Sequence, residues 1–148
     1  MNKLLKNVCL ILACASLLFG QSGCQQTGTL LSSTQFSQTA YDTDKQIKDK
    51  SLALIDRAKD RALYTSVAAD VDQLMQKIDS AISGEQGRTK NAPTVEQWKR
   101  VKTQLSHLFD MWKTKGALSP AFVEDARTQV SSLFDTLVKT EDEKRQRS

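Results

Sequence analysis

The sequence predicts an all-α protein: an antiparallel three-helix bundle, or a four-helix one if its long first helix breaks. Three observations carry this. The 148 residues include only two prolines and six glycines, too few for the turns of a β domain. Apolar residues recur three and four apart along three long stretches. Two compact breaks, at 84–93 and 116–120, separate those stretches.

The first stretch runs from Asp44 to Ser83. Ile47, Leu54, Ala58, Ala62, Val67, Val71, Leu74, Ile78 and Ile82 share a helical face. Asp42 or Thr43 can cap its start, and Gly84 stands where a C-terminal glycine belongs. Such a helix would be about 60 Å long at 1.5 Å per residue. That exceeds its neighbours, so it overhangs them or bends near Leu63-Tyr64-Thr65-Ser66, where hydroxyl and β-branched residues weaken a helix. Gly84 to Pro93 forms a polar loop. Thr94 with Gln97 then fits a capping box. Trp98, Val101, Leu105, Leu108 and Trp112 step along the second helix, which ends at Lys113, Lys115 and Gly116. Ser119 and Pro120 suit the N-cap and first position of the third helix. Val123, Ala126, Val130, Leu133 and Leu137 form its stripe, and "TEDEKRQRS" reads as a solvated tail. The short connections imply antiparallel neighbours.

Residues 1–23 read as an export signal. Lys3 and Lys6 precede an apolar run from Val8 to Phe19, and Gly20 to Gly23 form a small and polar exit. A membrane span needs about 20 apolar residues, more than this run supplies. Ser22-Gly23-Cys24 resembles the end of a bacterial lipobox. In that family the small residue precedes a cysteine, and Leu is preferred where this chain has Gln21. The resemblance implies cleavage before Cys24, diacylation of its sulfur with palmitate-type chains, and often acylation of its amine. Two or three chains make a firm anchor, where one binds only marginally. Ile11-Leu12-Ala13-Cys14 also has lipobox side chains but leaves a signal core of about six residues, below the usual range. Ala13-Cys14-Ala15 resembles an ordinary cleavage site, which would leave Leu17 to Phe19 exposed. By resemblance to the enteric sorting rule, Gln25 rather than Asp after the cysteine implies the outer membrane, facing the periplasm. Gln25 to Thr43, with 12 of 19 residues Gln, Ser or Thr, reads as a flexible polar tether. The expected organisation is signal 1–23, lipidated Cys24 and tether 24–43, and helical domain 44–148.

Chemistry is harder to find. Cys9, Cys14 and Cys24 are the only cysteines, so the domain beyond Cys24 holds no disulfide, thiolate metal site or cysteine nucleophile. His107 is the only histidine, and no nucleophile-elbow, zincin, EF-hand, P-loop or dinucleotide motif occurs. The expectation is a non-enzymatic protein without cofactor or metal. Without Lys3 and Lys6 the chain has 19 basic against 17 acidic residues, which gives nucleic-acid binding no support. Between Arg88 and Lys115, however, seven basic residues face two acidic ones. Arg88, Lys90, Lys99, Arg100, Lys102, Lys113 and Lys115 are thus candidates for a face toward an anionic envelope partner, unless they pair internally. Trp98 and Trp112, two heptads apart on one stripe, are either core wedges or the walls of a pocket. These features suggest a lipid-anchored module that binds or assembles with an envelope protein. A carrier or sensor of a small apolar ligand held between helices, or an inhibitor of immunity type, is the alternative.

Overall fold

The computed structural model describes residues 34–147. The export signal, Cys24 and the tether up to Ser33 lie outside the described residues. Four helices follow in order: α1 (Gln38–Lys59), α2 (Ala68–Gln86), α3 (Ala92–Lys115) and α4 (Pro120–Arg147), with a 3-10 turn at Tyr64–Ser66 between the first two. No strand occurs among the described residues. The long first stripe therefore breaks, and the bundle has four helices.

Cross-helix pairs fix the directions. The Ser37 N–H, at the start of α1, donates to Glu141 near the end of α4, while Lys59 at the end of α1 pairs with Glu124 at the start of α4. Lys102 on α3 reaches Asp79 on α2, and Gln104 on α3 donates to Gln129 on α4. Sequential neighbours are antiparallel, and α4 closes the ring against α1, its most extensive contact.

The break after α1 is a Schellman turn built on the wrong residue. The Ala62 N–H donates to the Arg57 carbonyl (3.1 Å) and the Arg61 N–H to the Ala58 carbonyl (3.2 Å), with Arg61 at φ +60°. That left-handed position favours glycine, because a Cβ there crowds the backbone. Arg61→Gly is expected to stabilise the bundle by about 1 kcal/mol, read as a higher urea midpoint. A lower midpoint would mean that the arginine side chain matters more than its backbone strain.

Other boundaries differ from the sequence expectation for identifiable reasons. Helix α1 starts at Gln38, six residues before Asp44, because the Ser37 hydroxyl caps the Ala40 N–H (3.2 Å) and Ala40 is buried in the bundle. Residues 38–43 thus belong to the domain and not to a tether. Helix α2 runs past Gly84 to Gln86, and α3 starts at Ala92, so Thr94 makes no cap and is buried. Ser119 does cap α4, accepting from the Phe122 N–H at 3.3 Å. The largest departure is the C-terminal segment. Helix α4 continues to Arg147, and Thr140, Glu141 and Lys144 are buried rather than solvated.

All four buried stripes keep their three-and-four spacing to the end of the bundle where the described chain begins. There the residue types change. Asp44 follows Ala40 in the stripe of α1, Glu85 extends that of α2, Asn91 just before α3 and Thr94 within it precede Trp98, and Glu141 and Lys144 follow Leu137 in α4. One end of the core is apolar, and the other is a buried knot of charge.

Candidate functional site

Arg88 and Lys144 hold the knot together. Arg88 follows α2 and forks onto two carboxylates: Nη1 meets Glu85 at 2.8 Å, and Nη2 meets Glu141 at 2.6 Å. It also donates to the Gln35 carbonyl, at 2.6 Å. Planar guanidinium geometry suits such forked recognition. Lys144 is 1% exposed and places all three ammonium protons: on Glu141 (2.7 Å), Asn91 Oδ1 (2.9 Å) and Thr94 Oγ1 (3.2 Å). Asn91 turns its amide N–H to Glu85. Burial disfavours the ionised form of Glu141, but hydrogen bonds from Arg88, Lys144 and the Ser37 backbone outweigh it and hold its pKa below the usual carboxylate range. Burial also opposes charge on Arg88, and its two glutamate partners overcome it.

The knot also fastens the start of the described chain. Thr34 donates to the carbonyls of Thr89 (3.1 Å) and Lys90 (2.9 Å) in the α2–α3 loop. Arg145 stacks over the rings of Phe36 and Tyr41, at 5.7 and 5.6 Å.

Asp44 is the exception. It is 3% exposed and makes no hydrogen bond or ion pair among the described residues. Burial and the nearby carboxylates of Glu85 and Glu141 push its pKa up to about 8, against an ordinary value of 3.8; Lys144 and Arg88 offset this only in part. Three carboxylates thus meet two cations, and the surplus carboxyl keeps its proton at neutral pH. It lines a half-open groove of about 460 Å³ between α1 and α2. Ala40, Ile47 and Ala81 supply the apolar walls, Trp98 backs them, and Lys50 and Lys77 stand further along.

The structure disperses the basic residues singled out in the sequence. Arg88 belongs to the knot, Lys99 pairs with Glu96 on its own helix, and Lys102 pairs with Asp79. Lys99 and Arg100 share a shallow α3–α4 groove, while Lys113 lies beside Leu63 and Tyr64 near the other end. Lys90 sits in the α2–α3 loop at φ +55°, and Lys115 ends α3. Both tryptophans are fully buried. Trp112 donates its Nε1–H to the Ala62 carbonyl (3.0 Å) and meets Tyr64 edge-on, closing the break after α1. Trp98 meets Phe134 edge-on, and its buried Nε1–H has no partner among the described residues. His107 is exposed. No group of three or more His, Cys, Asp or Glu among the described residues is placed to hold a metal, and none of their helices is long and apolar enough to cross a membrane.

Sequence reasoning passed over Asp44, Glu85, Glu141 and Lys144, because polar residues were read as surface. Their register was the available signal: each falls on a stripe position in phase with its apolar neighbours. Comparison with protein-family models, with curated proteins and with solved structures finds no match to this chain.

Proposed function

We propose that this chain is a lipid-anchored lipoprotein of the cell envelope that works by binding rather than catalysis, with the α1–α2 groove as its binding element. The observation that carries the binding reading is Asp44. A carboxyl 3% exposed, with no hydrogen bond to the described residues and lining a groove of small-molecule size, offers a ligand a polar group in a largely desolvated setting. It hydrogen-bonds to no other side chain among the described residues, so it lacks a nucleophile or base to act with. The anchor reading rests on the lipobox resemblance at Cys24.

The groove favours a small ligand held between helices over a protein partner on a basic second-helix face. That face loses Arg88, Lys99 and Lys102 to intramolecular pairs. Two measurements test the proposal. Cys24→Ser is expected to leave an unprocessed, unacylated chain; a processed, membrane-bound variant would refute the anchor. Solvent extraction and mass spectrometry of the protein purified from its own membranes should release a stoichiometric small molecule. A ligand-free module co-purifying with an envelope protein would return the function to the protein-partner reading.

A further inference from the structure

Two lysines on the groove are placed in a way that the bundle itself does not explain. Lys50 on α1 and Lys77 on α2 line the same groove without a carboxylate between them, and repulsion from Lys77 lowers the pKa of Lys50. Neither has a carboxylate partner among the described residues. Folding gains nothing from two neighbouring cations on one groove, and an oxyanion bound between them would turn the repulsion into charge-assisted hydrogen bonds. Lys50 lies six residues from Asp44, about 9 Å along the helix axis. The wall between them carries Ile47 on α1 and Ala81 on α2. A protonated Asp44 adds no charge to repel an anion.

We propose that the α1–α2 groove binds a small amphiphilic oxyanion, its charged head between Lys50 and Lys77 and its short apolar stem along Ile47 and Ala81. This deepens the small-ligand reading of the groove and is independent of the anchor at Cys24. Charge complementarity sets the head, and the apolar wall running from the lysine pair to Asp44 sets the stem.

The test uses the full chain carrying Cys24→Ser, with calorimetry and amide NMR, and hexyl phosphate as probe. Saturable one-to-one binding is expected, with shifts centred on α1 and α2 around residues 47–50 and 77–81. Lys50→Gln with Lys77→Gln should weaken it roughly tenfold or more without loss of helix, since both side chains lie outside the core. A Cβ at Gly84 meets nothing within 4 Å, so Gly84→Phe should fold and obstruct the groove from its other end, again weakening binding. Equal binding of hexyltrimethylammonium would overturn the assignment of charge. Inorganic phosphate binding as tightly as hexyl phosphate would overturn the stem. Unchanged affinity in the lysine double variant, no binding at all, or a doubled mass that shows the groove covered by a second copy would overturn the site. Each of these failures leaves the Cys24 fractionation result standing.

Discussion

Glu141→Ala is expected to cost the bundle about 3–5 kcal/mol, among the largest losses any single substitution can cause here. The carboxylate takes hydrogen bonds from Arg88, Lys144 and the Ser37 backbone at once. Removing it leaves Lys144, at 1% exposure, without its counter-charge, and desolvation then outweighs what Asn91 and Thr94 can return. The start of the chain should loosen as well, with hydrogen exchange rising over residues 35–41. Glu141→Leu combined with Lys144→Met should cost clearly less than Glu141→Leu alone. The double variant removes both charges and leaves the Arg88–Glu85 pair intact. Urea unfolding followed by circular dichroism measures both. Equal losses in the single and double variants would mean that Lys144 is held by something other than this carboxylate.

The second large effect depends on pH. Unfolded, Asp44 titrates near 3.8; folded, near about 8. Between those values the native state binds the extra proton, so stability falls as pH rises through that window and levels off above it. Each unit of separation is worth about 1.4 kcal/mol, so the total decline amounts to several kcal/mol. Glu141 acts in the opposite sense. Its folded pKa is depressed, so its contribution is present above its unfolded pKa and is lost as pH falls through the lowered folded value. The two together place maximum stability near about pH 4, where the contribution of Glu141 is nearly complete and the decline through Asp44 begins. Asp44→Asn is neutral in both states and should abolish the alkaline decline. It is expected to match the parent near pH 4 and exceed it by several kcal/mol at pH 9. A variant that runs parallel to the parent from pH 4 to pH 9 would mean that Asp44 ionises normally.

The helices were legible because their apolar residues keep a helical period, and the caps at Ser119 and Gly116 followed standard chemistry. The break after α1 was legible too, since Tyr64 to Ser66 interrupt the phase of a stripe too long for its neighbours. The charged end was not. Residue type was weighed before register, and Asp44, Glu85, Glu141 and Lys144 look like surface until all four stripes are extended to the same end. The C-terminal segment shows the problem most clearly. "TEDEKR" is as polar as a disordered tail, yet Glu141 and Lys144 fall three apart on the stripe that Leu137 continues, and their partners from elsewhere in the bundle are Arg88 and Asn91 in the α2–α3 loop and Thr94 on α3. Tertiary pairing, which no local window contains, decides their burial. The same holds for the basic residues. Seven cations within 28 residues suggested a face, but partners on the same and neighbouring helices claim several of them.

The groove, the knot and the surplus carboxyl meet at Asp44, and its ionisation can be observed directly. A carbon-detected NMR titration of the Asp44 carboxyl, with Asp44→Asn to assign the signal, should give a midpoint near about 8 in the folded protein. A midpoint near 4 would contradict the account, because Asp44 would then be an ordinary solvated carboxylate and not a buried group that keeps its proton.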